Sequence, residues 1–597
     1  MEANKSRHYD QITLDENFDP QVIKSFNNEQ LNELSNKVRL LIIDKCSQYG
    51  GHLSSNLGVV ELTIALFKYF NFPNDKLIFD IGHQSYTEKI LTGRPLTNLR
   101  EKDGIDGFQK RNESIYDTYE GGHSSTSISA AMGLAVARDL KHENYKVICV
   151  IGDSSIANGL ALEAINNLSN FHHQLLIIIN DNDMSISQSV GKLHKLFQSI
   201  KLNKNIDEYN GNEELLDLLY GGPVDGHNIS DLLKAFKKIN NCNRPVVLHV
   251  KTIKGKGYSF AEKDNVGKYH FIDKFDVKTG LPLVKNEINK TTFSLAYSNL
   301  LYEAMKDNKE LVCISPATEY GSNLTKIFSD YKDRAFDVGI CEEHALIFAN
   351  GLALNHIHPY VFIYSTFLQR TYDEIIHDIA RLNSKVTIMV DHSGLIGKDG
   401  ETHQGIYDLS FLMTIPNVTL AMAKDISEAK RLFDFSLNYN APLFIRYPLY
   451  EVELDHNEAK EIKPLNYLEY DSLLDNKAND KDSLCLISYG PHLNEIYEKT
   501  KGYTNLKIVN CIFTYPLNLT YLKSLLNYKE ILIYDPYSIE TGFTMHLTNA
   551  LVDLGYQGKI IKCTLPIEYV SKATILEQEE ENKVDVNSLI NKLKELL

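Results

Sequence analysis

Two short apolar runs, residues 147–151 and 175–179, bracket a stretch from 158 to 170 whose apolar positions are Leu160, Leu162, Ala164, Ile165 and Leu168. Runs this short and this uniformly apolar read as strands buried on both faces, and the stretch between them reads as a crossover helix. The unit is a β-α-β element, which restricts the chain to layered α/β architectures. Both runs end in polar residues: Gly152-Asp153-Ser154-Ser155 after the first and Asn180-Asp181-Asn182-Asp183 after the second. Open parallel sheets bind ligands beyond the carboxyl ends of their strands, so these two tips are the expected place for chemistry.

The pattern recurs along the chain. Residues 245–250 read as a third strand of the first layer, and residues 254–290, rich in Gly, Lys and Asp, as loop. A second α/β region has strands near 360–363 and 386–390. The polar, acidic stretch 451–482 reads as a linker, and a third region has strands at 484–488, 507–509 and 531–533. The expected division is 1–285, 290–460 and 465–597, with a mobile loop over 198–214. At 597 residues and 43% hydrophobic, the chain can bury several cores. A net charge of −16 argues against nonspecific nucleic-acid binding but leaves room for an anionic substrate on a local basic patch. The eight cysteines include no CxxC pair, which fits a reducing compartment. The first eight residues carry no signal-peptide core, and no apolar run reaches the ~18–20 residues that span a bilayer. A cytoplasmic protein with no membrane partner is the expectation.

A carboxylate at Asp153, an amide oxygen at Asn182 and a nearby backbone carbonyl, that of Met184, are hard oxygen ligands suited to a Mg²⁺ that also takes phosphate oxygens. The crossover helix turns its amino end to the same place, which favours anions. A lone Gly-Asp belongs to ordinary turns; joined to this helix and to Asn-Asp-Asn, it points to a Mg²⁺-diphosphate.

This pair of tips resembles the thiamine diphosphate (ThDP) motif. The usual third residue of that motif is Gly; here it is Ser154, and a cost in loop fit is expected from losing the most permissive residue. Further stretches follow: Gly51-His52-Leu53-Ser54-Ser55-Asn56-Leu57-Gly58, Asp80-Ile81-Gly82-His83-Gln84-Ser85-Tyr86, Gly122-His123-Ser124-Ser125, Gly222-Pro223-Val224-Asp225-Gly226-His227, Gly257-Tyr258 with Glu262-Lys263-Asp264, Tyr364-Ser365-Thr366-Phe367-Leu368-Gln369-Arg370, and Asp399-Gly400-Glu401-Thr402-His403. In kind and order they resemble the 1-deoxy-D-xylulose-5-phosphate synthase family of the transketolase superfamily, over nearly the whole chain.

The resemblance implies three α/β domains: two doubly wound parallel-sheet domains of the ThDP-binding fold, with ThDP between them, and a transketolase-type C-terminal domain supporting a homodimer. It implies a transferase that decarboxylates pyruvate and joins the two-carbon remainder to D-glyceraldehyde 3-phosphate, for isoprenoid and thiamine biosynthesis. Glu342 aligns with the glutamate that hydrogen-bonds the coenzyme's aminopyrimidine and so promotes loss of the thiazolium C2 proton. His52, His83, His270 and His403 fall on positions for proton handling and oxyanion contacts, with His270 in a loop one residue longer than usual. Gly122, His123, Ser124, Ser154, Ser155, Tyr258 and Lys263 line the diphosphate side, and Phe367 stacks on the pyrimidine.

Departures concern the acceptor. The family holds its phosphate partly with two arginines that are His392 and Leu449 here, while Tyr364, Arg370 and Asp399 remain. Two lost charge-assisted bonds weaken a phosphate by about 3–6 kcal/mol unless compensated. The alternative is therefore a paralogue with the same pyruvate half-reaction and a different, non-phosphorylated aldehyde. The stretch from 187 to 222, shorter than in the family, points the same way. A transketolase releasing no CO2, a 2-oxo acid dehydrogenase component serving a lipoyl domain, and a non-enzymatic relative complete the alternatives.

Overall fold

The computed structural model describes residues 12–182, 214–215, 218–283, 289–454, 463–476 and 483–597. These residues form two compact units, Met1–Lys285 with Gly339–Cys341, and Asn286–Val338 with Glu342–Leu597. Met184 and most of the stretches 198–214 and 187–222 lie outside the described residues.

In the first unit, β1 (Lys76–Phe79), β2 (Val147–Gly152), β3 (Leu176–Asp181), β4 (Glu214–Leu215), β5 (Leu218–Asp225) and β6 (Val246–Lys251) form a sheet of order β1-β2-β3-β6-β5-β4. Neighbours run parallel except β4 with β5. Alternate residues of each strand enter different cores. Ile148, Val150, Ile178 and Leu248 pack with helices Asn28–Tyr49, Val60–Tyr69 and Ile229–Ile239. Val147, Cys149, Ile151, Ile177 and Ile179 pack with Ser127–Leu140 and Gly159–Asn167. Burial on both faces is why these strands are uniformly apolar, each large side chain contributing about 1.5–3 kcal/mol.

In the second unit, β7 (Lys290–Thr292) pairs antiparallel with β14 (Glu451–Glu453). The strands β8 (Leu311–Ser315), β9 (Ala335–Asp337), β10 (His358–Tyr364), β11 (Thr387–Asp391), β12 (Thr419–Met422) and β13 (Leu443–Arg446) pair parallel in the order β12-β13-β11-β10-β8-β9. A further sheet has β15 (Tyr470–Asn476), β16 (Leu484–Ser488), β17 (Leu506–Cys511), β19 (Glu530–Ile539) and β20 (Lys559–Leu565) in the order β15-β17-β16-β19-β20. Between β17 and β19, β18 (Phe513–Tyr515) leaves this sheet to pair antiparallel with β12. Val361, Ile363, Ile388 and Phe444 of one sheet share a core with Ile487, Val509 and Ile533 of the other, so the two sheets form one unit. The described residues thus carry three parallel-rich α/β sheets, as the sequence predicts.

The stretch read as a linker, 451–482, is corrected in part. It contains β14 and the antiparallel edge strand β15, with Tyr470 and Leu474 buried. Only two of the strand's seven residues, Tyr470 and Leu474, are buried, so its composition reads as a polar connector.

Candidate active site

In the first unit, β2 and β3 are adjacent and in register at Gly152 and Asn180, so Asp153 and Asn182 stand just beyond neighbouring strand ends. The Asp153 amide donates to the Asn180 carbonyl (3.2 Å), which ties the two tips together. Asp153 is buried. The Asn180 side-chain oxygen accepts from Thr252 Oγ1 (2.6 Å), while its buried Nδ2 has no acceptor among the described residues. The expected cost of Ser154 is not borne out in the backbone: φ is −77° and ψ −39°, ordinary right-handed geometry that needs no glycine. Ser155 opens a short 3-10 turn, and Asn158 caps the helix behind it by accepting from the Leu160 amide (3.0 Å).

Three histidines from separate loops meet. The ring centroids of His52 and His83 are 5.2 Å apart, those of His52 and His270 5.7 Å, and those of His83 and His270 5.5 Å. Asn56, fully buried, donates to the backbone carbonyls of His52 (2.6 Å) and His83 (2.7 Å) and accepts from the Tyr86 amide (2.9 Å). The Tyr86 hydroxyl accepts from the His52 amide (3.2 Å), and a Cβ on Gly51 would lie 2.7 Å from that hydroxyl. Asp80 accepts from the Ser125 (2.8 Å) and Ser127 (3.2 Å) amides, and Ser125 Oγ donates to the Ser155 carbonyl (2.8 Å). The loop of Gly122, His123 and Ser124 is thereby bound to the ends of β1 and β2. Burial, then Lys254, His83 and His52, holds the His270 imidazole well below its usual range, so it is neutral near pH 7.

Sequence reading passed over Lys254. Burial lowers its ammonium to about 8, against the raising effect of Asp153 and Asp264. Its segment is braced from behind. His227 Nε2 accepts from the Ile253 amide (2.8 Å) and His227 Nδ1 meets Glu61 Oε2 (3.0 Å), bonds that place the proton on Nδ1. Arg39 donates from Nη2 to Glu61 Oε1 (2.6 Å) and from Nε to the Lys256 carbonyl (2.8 Å). A Cβ on Gly257 would lie 2.2 Å from Arg39 Cδ. The motif ending in His227 is thus a support for this loop. Tyr258 is buried with its hydroxyl on the Val277 carbonyl (3.0 Å), whereas Lys263 is exposed at the end of helix Ser259–Glu262. Lys254 is thus a second lysine of this loop, alongside the predicted Lys263. A lysine three residues before Gly257 was the available signal.

In the second unit, Glu342 opens helix Glu342–Ala353 and is buried. Its Oε2 lies 3.7 Å from Arg370 Nη1 and accepts no hydrogen bond among the described residues. Burial raises its carboxyl to about 7, with Arg370 opposing. At the end of β10, Tyr364 stacks on His392 (3.8 Å, 20°) and on Phe367 (5.7 Å, 13°), and Phe367 meets the edge of His403 (5.8 Å, 79°). Burial, then Asp391 and Asp399, pushes the Tyr364 hydroxyl up, so it stays protonated. His403 Nδ1 bonds Thr402 Oγ1 (2.7 Å), and reciprocal amide–carbonyl bonds between Gly394 and Gly405 (2.7 and 2.9 Å) close the loop that carries Asp399 and His403. His392, at φ 57°, is held by Asp391 Oδ1 (2.9 Å). Arg446 is fully buried in a two-point ion pair with Asp408 (2.7 and 2.8 Å), and Leu449 is exposed.

Among solved structures, the transketolase of Leishmania mexicana aligns with 95% of this chain and 97% of its own, at 15% identity and a TM-score of 0.45. Residues 14–215 and 211–252 match the family described as 1-deoxy-D-xylulose-5-phosphate synthase, and residues 289–453 match the transketolase pyrimidine binding domain. The 1-deoxy-D-xylulose-5-phosphate synthase of Macrococcus caseolyticus (strain JCSC5402) is 37% identical, covering 97% of this chain and 98% of its own, and that of Clostridium tetani (strain Massachusetts / E88) is 36% identical, covering 98% and 100%. The chain belongs to the 1-deoxy-D-xylulose-5-phosphate synthase family. The site residues fit the ThDP that membership implies. A 1-deoxy-D-xylulose-5-phosphate synthase needs a carboxyl able to hydrogen-bond the aminopyrimidine, and Glu342 Oε2 is buried with no hydrogen-bond partner among the described residues. It needs oxygen ligands and a cation for a diphosphate, and Asp153, Asn182 and Lys254 have that chemistry.

Proposed function

We propose that this chain decarboxylates pyruvate and joins the remaining two carbons to D-glyceraldehyde 3-phosphate, giving 1-deoxy-D-xylulose 5-phosphate and CO2. The observation that carries the reading is Glu342, a buried carboxyl raised to about 7 with one oxygen that accepts no hydrogen bond among the described residues. Bound ThDP supplies a carbanion for the keto carbon and a sink for the electrons released with CO2.

The chain's own residues do the rest. Glu342 hydrogen-bonds the aminopyrimidine nitrogen and, with its proton poised near neutrality, gives and takes it readily. Asp153, Asn182 and the Met184 carbonyl hold Mg²⁺, and Gly122, His123, Ser124, Ser154, Ser155, Tyr258 and Lys263 hold the diphosphate, with Lys254 as a further cation of the same loop. His52, His83 and His270 donate N–H groups to the substrate's developing oxyanion and exchange its proton, His270 in neutral form. Phe367 gives the pyrimidine an aromatic face, and Tyr364, Arg370, Asp399 and His403 hold the aldehyde. In place of the family's two arginines the chain offers His392, beside the retained Arg370, to the acceptor phosphate.

Two further features belong to this reading. Ile347 on helix Glu342–Ala353 and Leu354 just past its end are exposed, as are Tyr372, Ile376 and Leu382, exposed apolar side chains that support a homodimer. No helix among the described residues is long and apolar enough to cross a membrane, which is compatible with a cytoplasmic enzyme.

The test is CO2 release from pyruvate, with ThDP, Mg²⁺ and the aldehyde phosphate present. Glu342→Ala lowers the rate by about 10²–10⁴-fold. An unaltered rate in this variant, or no CO2 from the wild-type chain, refutes the reading.

A further inference from the structure

Gly321 lies in the turn after β8, and no sequence motif singled it out. A Cβ built on it would come 1.9 Å from the Tyr364 hydroxyl and 3.2 Å from its Cζ. The first distance is far inside van der Waals contact, so either the turn or the tyrosine must give way to any side chain here.

The turn is the stiffer of the two. The Ala317 amide donates to Asp337 Oδ1 (3.0 Å), and Thr318 Oγ1 reaches the Phe362 carbonyl (3.5 Å) and Ser315 Oγ (2.9 Å). Beyond Gly321, the Ser322 amide donates to the Thr318 carbonyl and the Leu324 amide to the Glu319 carbonyl, both at 2.9 Å. Ser298 Oγ donates to the Asn323 carbonyl (2.6 Å). Thr318, Ser322 and Leu324 are buried. Tyr364, by contrast, is held by ring contacts with His392 and Phe367, along which a ring can slide.

We propose that Gly321 is a positioning residue: the bare backbone of this turn is the rest against which the Tyr364 hydroxyl is placed. The proposal rests on the acceptor role given to Tyr364 above. It makes residue 321 a determinant of aldehyde binding although it carries no group of its own. A side chain at 321 drives the phenol out along the His392 stack and misplaces the hydroxyl that the aldehyde meets, a displacement of the kind that costs an order of magnitude in rate or affinity.

A double-mutant cycle tests this on the full chain with ThDP, Mg²⁺ and pyruvate, using wild type, Gly321→Ala, Tyr364→Phe and the double variant. Gly321→Ala raises KM for D-glyceraldehyde 3-phosphate about tenfold and leaves KM for pyruvate within about twofold. Tyr364→Phe has an effect of similar size. The double variant is no worse than Tyr364→Phe alone, because removing the hydroxyl makes room for the methyl group. A general loosening of the turn gives the opposite result, since its cost persists in the Tyr364→Phe background. The proposal is overturned if Gly321→Ala behaves as wild type, if its full factor reappears in the double variant, or if both KM values rise together. If Tyr364→Phe is itself silent, the acceptor role of Tyr364 falls, and the positioning role with it.

Discussion

In the first unit, Asn56 gives its amide hydrogens to the backbone carbonyls of His52 and His83, and Tyr86 takes the amide of His52. The backbone that carries the reactive rings is held by hydrogen bonds made behind it. In the second unit, Glu342 and Tyr364 are held by burial and stacking, and the carboxyl keeps an oxygen without a hydrogen-bond partner among the described residues. One arrangement fixes position, and the other shifts acidity by withholding solvent. Substitutions in the two places should therefore fail differently: loss of a brace costs stability and geometry, whereas loss of a desolvated acid costs chemistry and relieves the fold.

The sharpest break in that contrast is Glu342→Gln, expected to lose about 10²–10⁴-fold in turnover while stabilising the chain. The folded-state carboxyl is raised from 4.5 to about 7, so the folded chain binds the proton more tightly than the unfolded one. Its stabilising contribution is complete below pH ~4.5 and is lost as pH rises through ~7. Neutral glutamine does not titrate. Urea unfolding without coenzyme should show the variant gaining on wild type between pH 5 and pH 8, by up to about 3 kcal/mol, with no gain below that range. A variant less stable at pH 8 than at pH 5, relative to wild type, would contradict the desolvation account.

Asn56→Ala is the converse. It leaves two buried carbonyls and one amide without their bonds, a loss of about 3 kcal/mol, and frees the His52 and His83 loops to move. Lower stability at every pH from 5 to 8 is expected, with a fall in turnover and no displaced pH optimum. An optimum that moves would place Asn56 in the proton chemistry and erase the distinction between the two regions.

What the sequence could reveal follows the same division. The strand tips were legible because buried parallel strands write themselves as apolar runs, and Asp153 and Asn182 sit where those runs stop. His52, His83, Glu342 and His403 were legible as motif positions, although nothing in spacing alone brings His270 to within 6 Å of the first two. Lys254 was missed because a lysine in a Gly-rich loop has the composition of a solvated turn, whereas burial, opposed by Asp153 and Asp264, sets its acidity. The strand Tyr470–Asn476 was missed because only two of its seven residues are buried, which leaves it the composition of a connector. Ser154 was misjudged because its need for glycine was inferred from the motif, whereas the backbone angle is ordinary.

The smallest effect belongs to His227, which belongs with the hydrogen-bonded region although it lies in a motif that looks catalytic. Its ring links the Ile253 amide to Glu61, and through Glu61 to Arg39, so it supports the loop of Lys254 from behind. His227→Ala removes one bond to a buried carboxylate and one to a backbone amide, leaving Arg39 to hold the loop through the Lys256 carbonyl. The loop persists and Lys254 loses its fixed direction. Calorimetric binding of ThDP in excess Mg²⁺ should weaken about tenfold, the worth of one charge-assisted bond, while turnover at saturating coenzyme stays within about twofold. His227→Gln, whose amide can accept from Ile253 and donate to Glu61, should recover most of the affinity. A large loss of turnover at saturation would instead move His227 into the chemistry, and the motif would have to be read as catalytic after all.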